Sequence, residues 1–212
     1  MKHNGRAITA EHAKSLHVEN SLASGSDETK MKQISFHFRR IMEALGLDVE
    51  DESLKDTPER VAKMYVKEIF KGLNPVNEPS ITHFDNSYGY SGMVLERNIR
   101  VQSWCEHHFV PITGKAHVAY YSSGRIIGLS KLNRIVEYFS SRPQVQERLT
   151  EDIAAKLKEV LQTEDVAVVI DAVHHCVVAR GVEDVGSSTY TAHFSGKFLS
   201  EEIKREFLSV LK

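Results

Sequence analysis

The chain holds two cysteines, and each lies against a pair of adjacent histidines. Residues 103–111 read Ser-Trp-Cys-Glu-His-His-Phe-Val-Pro, and residues 173–177 read Val-His-His-Cys-Val. Cys105 and His108 are three apart, so on a flat strand they would point to opposite faces. To share a ligand they need a turn or a helical kink, and Pro111 with Gly114 just beyond is compatible with an irregular strand end. Two donors fall short of a zinc site, which takes three or four. Cys176 is the remaining thiol. Period-two alternation puts His174, Cys176, Val178 and Arg180 on one strand face, with His175, Val177 and Ala179 on the other. The best set is therefore Cys105, His108 and Cys176, with His107 and His174 close by. Two thiolates and one imidazole leave the fourth position of zinc for water, which is the catalytic rather than the structural count. Zinc lowers the pKa of such a water to about 7. Mixed sulfur and nitrogen donors favour zinc over magnesium or calcium. Three other readings stay open on the residues alone. The cysteines can be small buried hydrophobes, they can form a Cys105–Cys176 disulfide, or one can be a thiol nucleophile paired with histidine.

The elements that must carry these groups follow from periodicity. From Met31 the apolar residues Ile34, Phe38, Ile41, Met42 and Leu45 recur at steps of three and four, an amphipathic helix ended near Gly46. The run Asp-Thr-Pro-Glu-Arg-Val-Ala-Lys-Met-Tyr predicts a second helix, with Thr57 as N-cap, Pro58 in the first turn and Gly72 closing it. A loop with Asn74, Pro75, Asn77 and Pro79 follows. Strands are predicted over 81–84, 93–103 and 115–121, the last after Gly114 as a turn residue. Ser130 is the expected cap of a helix whose buried stripe is Leu132, Ile135, Val136 and Phe139. Arg142-Pro143 breaks it. Val145, Leu149, Ile153, Leu157 and Leu161 then repeat every four residues in the next helix. A long strand is expected from Asp165 to about Ala179, another over 188–194, and a closing helix from about Ser200. Helices, strands, a helix pair, strands and a helix in that order predict an α+β fold with a largely antiparallel sheet. The expected domains are a mobile arm over 1–30, a helical segment over 31–80 and a catalytic domain over 81–212.

Composition bounds the function. The 212 residues are 41% hydrophobic and 26% charged, with a net charge of −2. A chain so near charge balance has no global basic field and does not favour nucleic acid as a partner. Two cysteines argue for a reducing compartment. No run reaches the ~18 apolar residues of a membrane span, and the N-terminus has no apolar signal core. A cytoplasmic location is expected.

Five blocks in unbroken order resemble GTP cyclohydrolase I of the zinc-dependent type. They are D-T-P-E-R-V-A-K-M-Y, C-E-H-H-F-V-P-I-T-G-K-A-H-V-A-Y, G-L-S-K-L-N-R-I-V-E-Y-F, R-P-Q-V-Q-E-R-L-T and H-H-C-V-V-A-R-G, and the likeness covers about residues 31–212. The resemblance implies the tunnelling fold, a four-stranded antiparallel sheet with two helices on one face, here preceded by an N-terminal helical segment. It implies one Zn2+ per subunit on Cys105, His108 and Cys176. It implies opening of the imidazole ring of GTP, release of formate and formation of 7,8-dihydroneopterin triphosphate, the first step of tetrahydrofolate and pterin biosynthesis. His107 and His174 match the acid/base groups, Gln146 and Glu147 the positions that read guanine. Arg60, Lys63, Ser130, Lys131, Arg134 and Arg180 match positions that hold the ribose and triphosphate. The family assembles as a homodecamer of two pentameric rings with sites at subunit interfaces, and no nucleic acid or membrane is implied.

These residue types suit that chemistry. Histidine transfers protons near neutrality. A carboxylate at Glu147 accepts from guanine N1–H and the 2-amino group, and adenine presents an acceptor at N1 instead. Lys131 and Arg134 share a face near a helix N-terminus, which favours anions. Arg180, on the strand face of His174 and Cys176, would place a phosphate near the metal. The bland roles are solvated helix faces for Lys63, Lys131 and Arg134, a cap for Ser130 and dipole stabilisation for Glu147. Glu106 is expected to orient a neighbouring ligand or pair with a cation. His117, His175 and His193 are read as structural.

Overall fold

The computed structural model describes residues 25–211, so most of the expected arm lies outside the described residues. The chain divides into two compact units, Met1–Phe70 and Lys71–Lys212. In the first, α1 spans Asp27–Ala44 and α2 spans Thr57–Met64. Helix α1 starts four residues before Met31 because Ser26 caps it, its Oγ accepting from the Thr29 amide at 3.3 Å. The apolar stripe begins only one turn later, so periodicity alone misses that turn. Thr57 is the first helical residue rather than the cap, a position held by Asp56. Past Met64 the chain takes a single wide turn, Tyr65–Ile69. The two helices pack together over buried Met42 and Ala62, and Ser35 bonds Glu59 at 3.1 Å.

The second unit supplies the sheet. Its elements run β1 His83–Asp85, β2 Met93–Cys105, β3 Pro111–Tyr121, β4 Arg125–Ile127, α3 Leu129–Ser140, β5 Pro143–Gln144, α4 Gln146–Leu161, β6 Val166–His174, α5 His175–Val178, β7 Thr189–Phe194 and α6 Glu201–Ser209. Strands β2, β3, β6 and β7 form an antiparallel sheet, extended at the β2 edge by the two-residue parallel β5, and β1 pairs β4 separately. Helices α3 and α4 cover one face. Leu132, Ile135 and Val136 of α3 and Leu149, Ile153, Leu157 and Leu161 of α4 meet Ile99, Val101, Ile112, Val118, Val168 and Ile170 of the sheet, nearly all of them fully buried. Each such side chain contributes about 1.5–3 kcal/mol on burial. One end of the opposite face is closed by Phe198 and Phe207 against Tyr121, Ala167 and Val169. This is the expected α+β arrangement of four antiparallel strands with two helices on one face.

Three local expectations are corrected. Gly128, not Ser130, occupies the N-cap of α3. Gly72 closes no helix. It lies in a tight turn where a Cβ would stand 2.2 Å from the Tyr138 carbonyl oxygen. Gly114 is not a turn residue but lies inside β3, paired with Val101 and Ala172. A Cβ there would meet the Asp171 carbonyl oxygen at 2.1 Å and the Ala172 Cα at 2.5 Å. Both are backbone atoms of a central strand and cannot give way. Gly114→Ala is expected to cost about 3 kcal/mol of stability. A calorimetric melting temperature equal to that of the parent would show that β3 and β6 tolerate the wedge.

His117 sits on β3 and is buried, accepting at Nδ1 from the Asn98 amide at 3.4 Å. Burial first, then the charges of Lys115 and Arg97, push its imidazole below the ordinary value, and Asp171 opposes them. The unfolded chain then binds this proton more readily than the folded one. Stability is therefore fully present above the ordinary histidine value of about 6.5 and is lost as pH falls from there towards the lower folded-state value. His117→Gln is expected to flatten that acid limb in urea titrations between about pH 7 and 5. Equal slopes for variant and parent would remove His117 as its cause.

Candidate active site

The turn joining β2 to β3 brings Cys105 and His108 to one side. The Cys105 amide donates to the Val110 carbonyl at 2.9 Å and the Phe109 amide to the Cys105 carbonyl at 2.8 Å. Phe109 takes a left-handed backbone, φ 53°, to close that loop. The strained residue thus lies beside the ligand candidates, where such strain tends to concentrate. Strand β6 ends at His174, not near Ala179, and α5 follows it as a single helical turn. Cys176 therefore does not alternate with His174 along a strand, and Arg180 shares no strand face with either. The helical turn carries the Cys176 sulfur back towards β2.

The ligand atoms of Cys105, His108 and Cys176 all lie within 4.8 Å of one another, the one such Cys/His/carboxylate group found among the described residues. Donor type and spacing fit one ion bound by two thiolates and an imidazole. Cys105 is buried, Cys176 half-buried and His108 exposed, so the group opens to solvent on its histidine side. Burial first, then the hydrogen bond and charge of Cys105, push the Cys176 thiol up. A cation held between the two sulfurs would offset that cost at Cys176 by favouring its thiolate.

The surrounding groups are close. His107 Nδ1 is 3.9 Å from the Cys105 sulfur. Arg180 Nη1 is 2.9 Å from His108 Nε2. Arginine only donates, so His108 Nε2 accepts and the ring hydrogen sits on Nδ1, the nitrogen 4.0 Å from Cys105 Sγ. A metal taken through Nδ1 would need that hydrogen on Nε2, and the Arg180 contact would have to open. His174 Nε2 meets Gln146 Oε1 at 2.7 Å. Burial holds the His174 imidazole below its ordinary value, and Glu147 works in the opposite direction. Glu147 itself is exposed in the first turn of α4.

Glu106 pairs with a cation, as expected, and the structure identifies it as Arg148. Arg148 of α4 forms an ion pair with its carboxylate and donates to the Pro143 carbonyl at 3.2 Å and to Gln144 Oε1 at 2.9 Å. The Glu106 amide donates to the Gln144 carbonyl at 3.0 Å. The turn carrying Cys105 and His108 is thereby tied to β5 and α4, and the other Glu106 oxygen lies 3.8 Å from His107 Nε2. The i, i+4 spacing of Gln144 and Arg148 was the available signal. Nothing in the linear chain set it beside Glu106.

The remaining expected residues are not all gathered here. Ser130, Lys131 and Arg134 lie in the first turns of α3, and Lys131 donates to the Ser80 carbonyl. The end of α3 near the Cys105–His108 turn is the other one, where Gln144 Nε2 donates to the Phe139 carbonyl at 3.2 Å and β5 pairs with Trp104 and Cys105. At about 1.5 Å per residue, Ser130 stands roughly 15 Å along the helix from Ser140. Arg60 and Lys63 are exposed on α2 in the first unit, Arg60 ion-paired to Asp56 at 3.3 Å.

Fold and site together define an α+β protein with an open Cys–His–Cys cluster, the class of a candidate metalloenzyme. The chain belongs to the GTP cyclohydrolase I family, whose model matches residues 34–212. It is 57% identical over 187 residues to the GTP cyclohydrolase 1 of Flavobacterium johnsoniae, covering 88% of this chain and 84% of the relative. It is 51% identical over 187 residues to that of an Enterobacter species, with 88% and 84% covered. The Aeromonas hydrophila enzyme of the same name is 48% identical over 207 residues, 97% of this chain and 94% of the relative. Among the described residues no helix is long and apolar enough to cross a membrane.

Proposed function

We propose that this protein is a cytoplasmic, zinc-dependent GTP cyclohydrolase that opens the imidazole ring of GTP, releases C8 as formate and recloses the skeleton to 7,8-dihydroneopterin triphosphate. The observation that carries the proposal is the Cys105–His108–Cys176 group, with donors within 4.8 Å, inside the matched span 34–212. These three residues would hold one Zn2+ per subunit. Zinc bound there supplies a Lewis acid that activates water near neutral pH.

The chain's own residues supply the rest. Glu147 presents an exposed carboxylate that accepts from guanine N1–H and the 2-amino group. His107, against the Cys105 sulfur, and His174, held by Gln146, move protons at the purine and the ribose. Arg180, beside His108, faces phosphate. Ser130, Lys131 and Arg134 of α3 hold the triphosphate, as do Arg60 and Lys63 of α2. A triphosphate bears about four negative charges, which several cations offset in a chain of net charge −2.

The α3 cations of a chain stand roughly 15 Å along the helix from its metal-loop end, which supports sites shared between copies. The assembly that fits is a homodecamer of two pentameric rings, each site drawing α3 from a neighbour. Zinc-loaded protein incubated with GTP is expected to yield formate and, after oxidation, a fluorescent pterin in equal amounts. Absence of both products would overturn the assignment.

A further inference from the structure

Gln146 is fully buried at 1% exposure, and its amide is oriented by the sheet beneath it. Its Nε2 lies 2.8 Å from the Thr189 carbonyl oxygen, 3.2 Å from the Ile170 carbonyl oxygen and 3.1 Å from Thr191 Oγ1. Carbonyl oxygens only accept, so the NH2 end of the amide must face them. A flipped amide would set three oxygens against one another in a buried place, at the cost of unpaired polar groups. The hydroxyls agree with this direction. Thr150 Oγ1 donates to the Gln146 carbonyl at 2.9 Å, which leaves Thr191 Oγ1 to donate to Thr150 at 2.7 Å and to accept from the amide.

With the NH2 end placed, Oε1 is the atom 2.7 Å from His174 Nε2, and an amide oxygen only accepts. We infer that Gln146 is a positioning residue that holds the His174 ring in one orientation and in the tautomer with its hydrogen on Nε2, so that Nδ1 carries none. The orientation is imposed from β6 and β7 through the backbone of Ile170 and Thr189, so it is set before any ligand arrives. Both amide hydrogens are engaged by the sheet, so any contact Gln146 makes with a purine uses the second lone pair of Oε1 as an acceptor. This inference rests on the proposal that His174 transfers protons.

The test uses the whole protein labelled with [15N]histidine, sedimented and measured by magic-angle-spinning NMR at pH 8.5, with His174→Gln to assign the signal by difference. Long-range proton–nitrogen correlations are expected to report the Nε2–H tautomer alone for His174. The Nδ1–H tautomer, or a mixture of the two, overturns the inference. In kinetics, Gln146→Met is expected to lower kcat by about 10–100-fold, the loss usual when a functional histidine loses its orienting partner, with KM for GTP within about 2-fold. A raised KM with kcat retained would return Gln146 to base reading and overturn the positioning role. Should Gln146→Met fail to fold, the tautomer of the native protein still decides. Full activity in His174→Ala would remove the proton-transfer reading while leaving the tautomer result standing, so the two failures are distinguishable.

Discussion

Cys176→Ser is expected to strip the protein of its stoichiometric metal and to cut formate release from GTP by about 10^3-fold or more. A metal that activates water contributes several kcal/mol to the barrier, and each 1.36 kcal/mol is tenfold in rate. The fold should survive. Cys176 lies in the one-turn α5, half-buried at the margin of the main cluster, and serine matches its shape. The core beneath it rests on Ile112, Leu132, Leu149 and Ile170, all fully buried, with Cys176 only packed against its edge. In chelator, variant and parent should therefore melt within about 3 °C of each other, a gap of less than roughly 1 kcal/mol. Metal content by mass spectrometry, formate release and the chelator melt make the check. A variant that keeps metal and turnover would take Cys176 out of the ligand set. One that cannot fold would make the metal structural.

The second large effect is expected at His174. His174→Ala should keep the metal, since none of its atoms belongs to the Cys–His–Cys group, yet lose about 10^2–10^4-fold in kcat. The ring is fixed from one side by the 2.7 Å contact with Gln146, and its other nitrogen is what the substrate would meet. Single-turnover measurement separates the chemical step from product release. Normal turnover in a metal-replete His174→Ala protein would end the acid/base assignment. The same experiment on His107→Ala tests the partner that lies 3.9 Å from the Cys105 sulfur.

Several elements of this protein were legible in the chain. The four-residue repeat Leu149, Ile153, Leu157, Leu161 specified α4 and its buried face, because burial of a helix stripe is periodic in sequence. The Cys-Glu-His-His and His-His-Cys clusters specified the donors, because only thiol, imidazole and carboxylate side chains can hold a borderline metal. Boundaries set by single hydrogen bonds were less legible. Ser26 starts α1 ahead of its stripe, and Gly114 reads as a turn residue although it is a place where two strands approach too closely for any Cβ.

Tertiary structure decided what period and composition cannot reach. Cys176 joins Cys105 and His108 because β6 stops at His174 and α5 curls, a change from period two to helical spacing with no local marker in His-His-Cys-Val-Val. Glu106 is paired because β5 lies on the β2 edge and leads directly into α4, whose first turn delivers Arg148, a long-range contact. Gln146 faces inward while Glu147, its neighbour in sequence, faces solvent. A helix turns about 100° per residue, and only the position of the sheet says which of the two is buried. The sequence by itself determined which groups could bind a metal and move protons. The packing of α4 on β6 and β7 decided which of them are held, by what, and in which orientation.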